Sequence, residues 1–154
     1  IGADAYLEKP FNMKILNALI VNLLNSRHTI TQISKASIDP KQQLKSNDEN
    51  FLSDIVEIIK MNITNSEFTI DLISEKTGLS RSKLFRKLKG LTNMSPVDLV
   101  IKIRLNHASE LLKNNKTMRI SEVAYASGFN DPKYFSTLFK KFYGKTPKDY
   151  SETL

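Results

Sequence analysis

Apolar residues recur at helical spacing in one segment after another along most of this chain. Phe51, Leu52, Ile55, Ile58 and Ile59 form a single stripe that Asp48 can cap. Ile70, Ile73 and Ser74 mark a short helix ending at Gly78. A third helix opens at Ser80 and turns Leu84 and Leu88 inward, with Asn93 placed for a left-handed cap. Ser95-Pro96 opens a long helix, since proline is allowed in a first turn. Its expected core stripe is Val97, Val100 or Ile101, Leu105, Ala108, Leu111 and Leu112, and Asn114-Asn115 ends it. A short helix follows from about Arg119 to Ser127. Asp131-Pro132 opens another, with Phe135, Leu138, Phe139 and Phe142 inward and Gly144 as its stop. Thr146-Pro147 starts a final turn or two.

Residues 48–154 are therefore expected to be all-α, with about seven helices. Upstream the pattern changes. Residues 1–11 read as a short strand and turn. Residues 12–27 read as a helix capped by Asn12, with Met13, Leu16, Ile20, Leu23 and Leu24 on one face. Residues 28–47 hold no lasting period and read as a linker.

The helical part repeats itself. Residues 70–79, IDLISEKTGL, match 120–129, ISEVAYASGF, in length, apolar positions and glycine. Residues 84–96, LFRKLKGLTNMSP, match 135–147, FSTLFKKFYGKTP, in the same way. A short helix, a glycine-bearing turn and a second helix form a helix-turn-helix. Two copies are expected, at about 70–92 and 119–143, joined by the long helix at about 95–114.

Charge sharpens this reading. The chain has a formal net charge of +7. Residues 80–89 carry Arg81, Lys83, Arg86, Lys87 and Lys89 with no acid, and residues 132–148 carry five lysines with no acid. Two all-basic segments suit phosphate binding. There is no cysteine, so disulfides, thiolate nucleophiles and cysteine-held zinc are excluded. His28 and His107 stand far apart, and neither a metal site nor a cofactor is expected. The sequence shows no glycine-rich phosphate loop, no nucleophile elbow and no paired carboxylates beside a histidine, so this fragment does not read as an enzyme. The longest apolar run, Ile15 to Leu24, is broken by Asn17 and Asn22 and is too short for a bilayer, so no membrane contact is expected.

In a helix-turn-helix the second helix enters the major groove of double-stranded DNA. With Leu84 and Leu88 inward in the first copy, Ser82, Phe85 and Arg86 face the bases. With Phe135, Leu138 and Phe139 inward in the second, Lys133, Ser136 and Thr137 do. Arg86 suits guanine O6 and N7, and the hydroxyls suit base edges. Phe85 either meets a thymine methyl or is a core residue at the helix rim. Arg81, Lys83, Lys140 and Lys141 are candidates for phosphates, as are the helix starts at Ser80 and Asn130. Arg104 either holds a phosphate or braces the two halves. The competing reading is a helical interaction module whose basic faces dock on an acidic partner such as RNA polymerase.

Residues 48–154 resemble the AraC-type transcription regulator domain. The resemblance rests on Ala124, Gly128-Phe129, Tyr134-Phe135, Phe139-Lys140-Lys141, Gly144, Pro147 and Tyr150, and on Ile103-Arg104-Leu105, Ala108 and Leu111-Leu112 in the long helix. It implies two recognition helices in successive major-groove segments. Asn93 and Phe85 depart from the family's usual glycine and polar residue.

The stretch GADAYLEKPF (2–11) is similar to the last strand of a response-regulator receiver, and 12–27 to its last helix. That implies a switch role for Lys9, left idle without the phosphoacceptor aspartate. Together the two resemblances imply the output end of a hybrid two-component regulator. Such a protein carries a histidine kinase elsewhere in its chain, is controlled by a phosphorelay and acts in the cytoplasm. Any inner-membrane anchor lies outside this fragment. Homodimerisation of the intact protein, contact with RNA polymerase and control of carbohydrate-utilisation genes are further implications.

Overall fold

The computed structural model describes residues 40–153, with side chains from residue 47. Lys9, the strand and helix expected over 1–27, and the linker as far as residue 39 lie outside the described residues.

Among the described residues seven helices follow one another: α1 (Pro40–Met61), α2 (Ile70–Thr77), α3 (Arg81–Thr92), α4 (Pro96–Asn114), α5 (Ile120–Ala126), α6 (Pro132–Tyr143) and α7 (Pro147–Glu152). No strand occurs among the described residues. The helix expected to start at Asp48 starts at Pro40, so Asp48 lies inside it. Lys41, Gln42, Gln43, Leu44 and Lys45 are good helix formers without an apolar stripe, so periodicity does not reveal them.

The starts and stops follow local chemistry. The Ser80 hydroxyl accepts from the Lys83 N–H and Asp131 from the Lys133 N–H. Ser95 and Asp98 form a reciprocal capping box before Pro96. Thr146 caps Asp149 at the matching position of the second repeat. Gly78, Asn93 and Gly144 close α2, α3 and α6 in the left-handed region.

Two cores form, and α4 belongs to both. The first gathers Leu52, Ile55 and Ile59 of α1, Ile73 of α2, Leu84 and Leu88 of α3, and Leu99, Val100 and Ile103 of α4. The second gathers Leu105, Ala108 and Leu112 of α4 with Val123, Ala124, Phe129, Phe135 and Phe139. Phe135 and Phe139 are fully buried with centroids 5.6 Å apart. Each contributes about 1.5–3 kcal/mol by burial alone.

Two residues expected in the core are not there. Val97 is 53% exposed, because Pro96, Leu99, Val100 and Ile103 make the buried stripe of the first turns. That stripe begins one position earlier and leaves Val97 on the far side. Phe142 is 44% exposed. Tyr143 takes the place beside Phe139, with centroids 4.5 Å apart, and Phe142 packs edge-on against Tyr143.

Candidate nucleic-acid interface

Helices α3 and α6 are the second helices of the two repeats, and each is fixed from behind by its core. Leu84 and Leu88 are fully buried in α3, as are Phe135 and Phe139 in α6. Helical geometry then turns the intervening positions outward. Ser82, Phe85 and Arg86 are exposed on α3; Lys133 and Thr137 are exposed on α6, and Ser136 is half-buried. The six residues expected at the bases thus occupy two outer faces, one per repeat.

Phe85 is 47% exposed, so the outward alternative describes its position. It walls an open cleft of about 730 Å³ along α3, together with Ser82 and Arg86. Thr69 and Asp71 at the start of α2, and Pro96 and Val97 at the start of α4, complete the walls. Exposed Val97 therefore belongs to an apolar strip beside Phe85. Its place at the head of the expected core stripe hides it in the sequence.

The hydroxyls on α6 are already oriented. Ser136 donates to the Pro132 carbonyl at 2.8 Å and Thr137 donates to the Lys133 carbonyl at 3.0 Å. With their protons turned into the helix, both oxygens remain acceptors.

The basic residues divide into several groups. Arg81, expected at a phosphate, forms a two-pronged ion pair with Asp71. That pairing joins the start of α3 to α2 and holds the Asp71 carboxyl below its usual range. Lys87 reaches Asp48 at 3.4 Å and stands 4.1 Å over the Phe51 ring, which braces α3 against α1. Residues 48–57 of α1 carry Asp48, Glu49, Asp54 and Glu57 with no base, and this acidic stretch answers part of the basic stretch of α3. Lys89 donates to the Asn93 carbonyl at the end of its own helix. Lys83, Lys140 and Lys141 are exposed, as are Ser80 and Asn130 at the helix starts. Lys141 also lines a smaller cleft of about 310 Å³ between α4 and α6, with Asp98, Ile101, Leu138 and Phe142.

Arg104, expected either to hold a phosphate or to brace the two halves, makes the contacts of a brace. Its Nη2 donates to the Asn65 carbonyl at 2.7 Å, in the loop between α1 and α2. Burial pulls the guanidinium below its usual range. On its other side lies Gly128, in the turn of the second repeat.

A protein-family profile described as "Helix-turn-helix domain" matches residues 73–153. The chain is 39% identical over 152 residues to histidine kinase P4 of Formosa agariphila, a match covering 97% of this chain and 11% of that protein. The chain therefore spans about a tenth of that relative's length. Among solved structures it is similar to the C-terminal domain of the two-component response regulator yesN from Fusobacterium nucleatum. There the identity is 35% and the TM-score 0.61, covering 66% of this chain and 98% of the other. It is also similar to the C-terminal domain of AraT, a response regulator from Geobacillus stearothermophilus. The identity there is 31% and the TM-score 0.62, covering 68% and 85%.

Proposed function

Because the chain belongs to the AraC-type helix-turn-helix family of DNA-binding transcription regulators, we propose that it reads duplex DNA with α3 and α6 as recognition helices. Each enters its own major-groove segment on one side of the duplex. The observation that carries this is the doubled outer face: both repeats bury the same register and turn polar, basic residues outward from separate cores on one shared helix.

The roles follow from side-chain chemistry. Arg86 forks onto guanine O6 and N7. Phe85, with Val97 behind it, takes a thymine methyl. Lys133 reaches a guanine edge or a phosphate. Ser136 and Thr137, their protons turned inward, accept from the amino groups of adenine or cytosine. Lys83, Lys140 and Lys141 hold phosphates, joined by backbone N–H groups at the helix starts by Ser80 and Asn130.

In the wider protein this chain is the output end of a hybrid two-component regulator. The match to a protein named histidine kinase covers 97% of the chain, so it takes in nearly all of residues 1–47 as well as the helical domain. Residues 1–27 then belong to a receiver, with Lys9 at its switch. Phosphorylation upstream governs dimerisation or release, and RNA polymerase is recruited in the cytoplasm to genes of carbohydrate utilisation.

The test is a fluorescence-anisotropy titration against a duplex selected from a random pool and against its scrambled counterpart, over a range of salt. The selected duplex should win by about a thousandfold or more at physiological salt. Affinity should fall steeply as salt rises, because each neutralised phosphate releases a counterion. Equal affinity for both duplexes would instead favour an interaction module for an acidic protein.

A further inference from the structure

We propose that Arg104 is a positioning residue that sets the separation and angle of the two reading helices, and so the spacing of the two groups of base pairs the chain recognises. The inference rests on the two-helix reading above. The cores change over within α4: Ile103 belongs to the first and Leu105 to the second, and Arg104 stands between them.

Arg104 meets both halves at once. On one side it donates to the Asn65 carbonyl. Asn65 is held in turn by three local hydrogen bonds. Its N–H donates to the Asn62 carbonyl, and its carbonyl and side-chain oxygens accept from the Phe68 and Glu67 N–H groups. On the other side, a Cβ built on Gly128 would lie 2.8 Å from Arg104 Nε and 2.3 Å from the Ile63 carbonyl oxygen. The loop of the first half, the guanidinium and the turn of the second half are thus in direct contact. From Gly128 the chain reaches the start of α6 at Pro132 in four residues, passing through buried Phe129. Moving Gly128 therefore moves α6.

The counterpart in the first repeat isolates what is special here. Gly78 also has a positive φ, yet its Cβ position is open to 4 Å. Only the second glycine serves a close approach as well as a turn. Moreover, Arg104 Nε is buried and finds no hydrogen-bond partner among the described residues. Burying an unpartnered N–H is unfavourable. A leucine or methionine would serve packing alone better, so the guanidinium is kept for geometry.

The chain has no cysteine, so spin labels can be placed at Glu75→Cys on α2 and Tyr125→Cys on α5, both exposed. The distance distribution between them should be single and narrow, and Arg104→Gln should widen or shift it. On the selected duplex, inserting one base pair between the half-sites should weaken the parent chain about tenfold or more, the scale of a mismatched base pair. Arg104→Gln should lose most of that discrimination, and Arg104→Lys, which keeps a donor for Asn65, should recover part of it. If Arg104→Gln loses its helical circular dichroism, Arg104→Lys carries both readouts. Unchanged distances together with unchanged spacing discrimination overturn the proposal, as does a parent chain indifferent to the insertion. A chain that prefers no duplex at all would refute the DNA-reading function instead, and the spin-label distances would still decide the role of Arg104.

Discussion

The guanidinium of Arg104 lies against Gly128 closely enough to exclude a methyl group from the glycine's Cβ position. Gly128 has φ +79° and Gly78 has φ +66°, so both turns need a residue that tolerates the left-handed region. The two glycines differ in their surroundings alone.

Gly78→Ala should cost about 1–2 kcal/mol, the left-handed penalty for a residue with a Cβ. Gly128→Ala should cost about 1–3 kcal/mol beyond that, because a backbone carbonyl must also move. Urea unfolding midpoints of the two variants provide the comparison. Equal losses would mean that the Ile63 and Arg104 contacts do not constrain the turn.

Phe135→Ala should destabilise the chain by about 3–5 kcal/mol, since the ring is fully buried in the second core. Phe142→Ala should cost less than about 1 kcal/mol, because the residue is already 44% exposed. Thermal unfolding separates the two, and a costly Phe142→Ala would show that the outward placement is wrong.

These residues also show what could be read from the chain alone. Caps and stops were legible because they are local: Ser95-Pro96, Asp131-Pro132, Thr146-Pro147, Gly78, Asn93 and Gly144 act within a few residues of themselves. The outer faces of α3 and α6 followed from their buried leucines and phenylalanines. Val97 escapes the pattern because Pro96, which periodicity discounts, takes the first buried position. The pairings Arg81–Asp71 and Lys87–Asp48 depend on how helices pack, and no local pattern announces them. The Arg104–Gly128 approach joins residues 24 positions apart in different elements. Locally, Arg104 reads only as a basic residue beside Leu105 on the polar flank of α4.

Asp71→Asn should release Arg81 from its ion pair. The freed guanidinium then becomes available to phosphate, and the salt dependence of DNA affinity should steepen by about one released ion. Anisotropy titrations at a series of salt concentrations measure the slope. An unchanged slope would mean that Arg81 faces no phosphate even when free.

Asp98 gives a pH-dependent contribution of known sign. The Ser95 hydroxyl donates to its carboxylate at 2.6 Å and the Ser95 N–H at 3.2 Å, which holds the carboxyl below its usual range in the fold. A lowered folded value means the contribution is complete above about pH 4 and fades as pH falls through the folded value. Asp98→Ala should therefore cost about 0.5–2 kcal/mol at pH 7, the scale of a helix cap. The difference from the parent chain should shrink toward pH 2. Chemical denaturation at both pH values tests this, and a difference independent of pH would remove the carboxylate from the cap.

If α3 and α6 read two separate groups of base pairs, parallel selections from random duplex DNA, with the parent chain and with Arg86→Ala, will show it. The parent chain should enrich a two-part motif with its halves about 10 base pairs apart. Arg86→Ala should lose information at one base pair of one half and leave the other half intact, with a loss of about 1–3 kcal/mol on the parent motif. A pool with no enriched motif, or a motif that Arg86→Ala leaves unchanged, would contradict this reading.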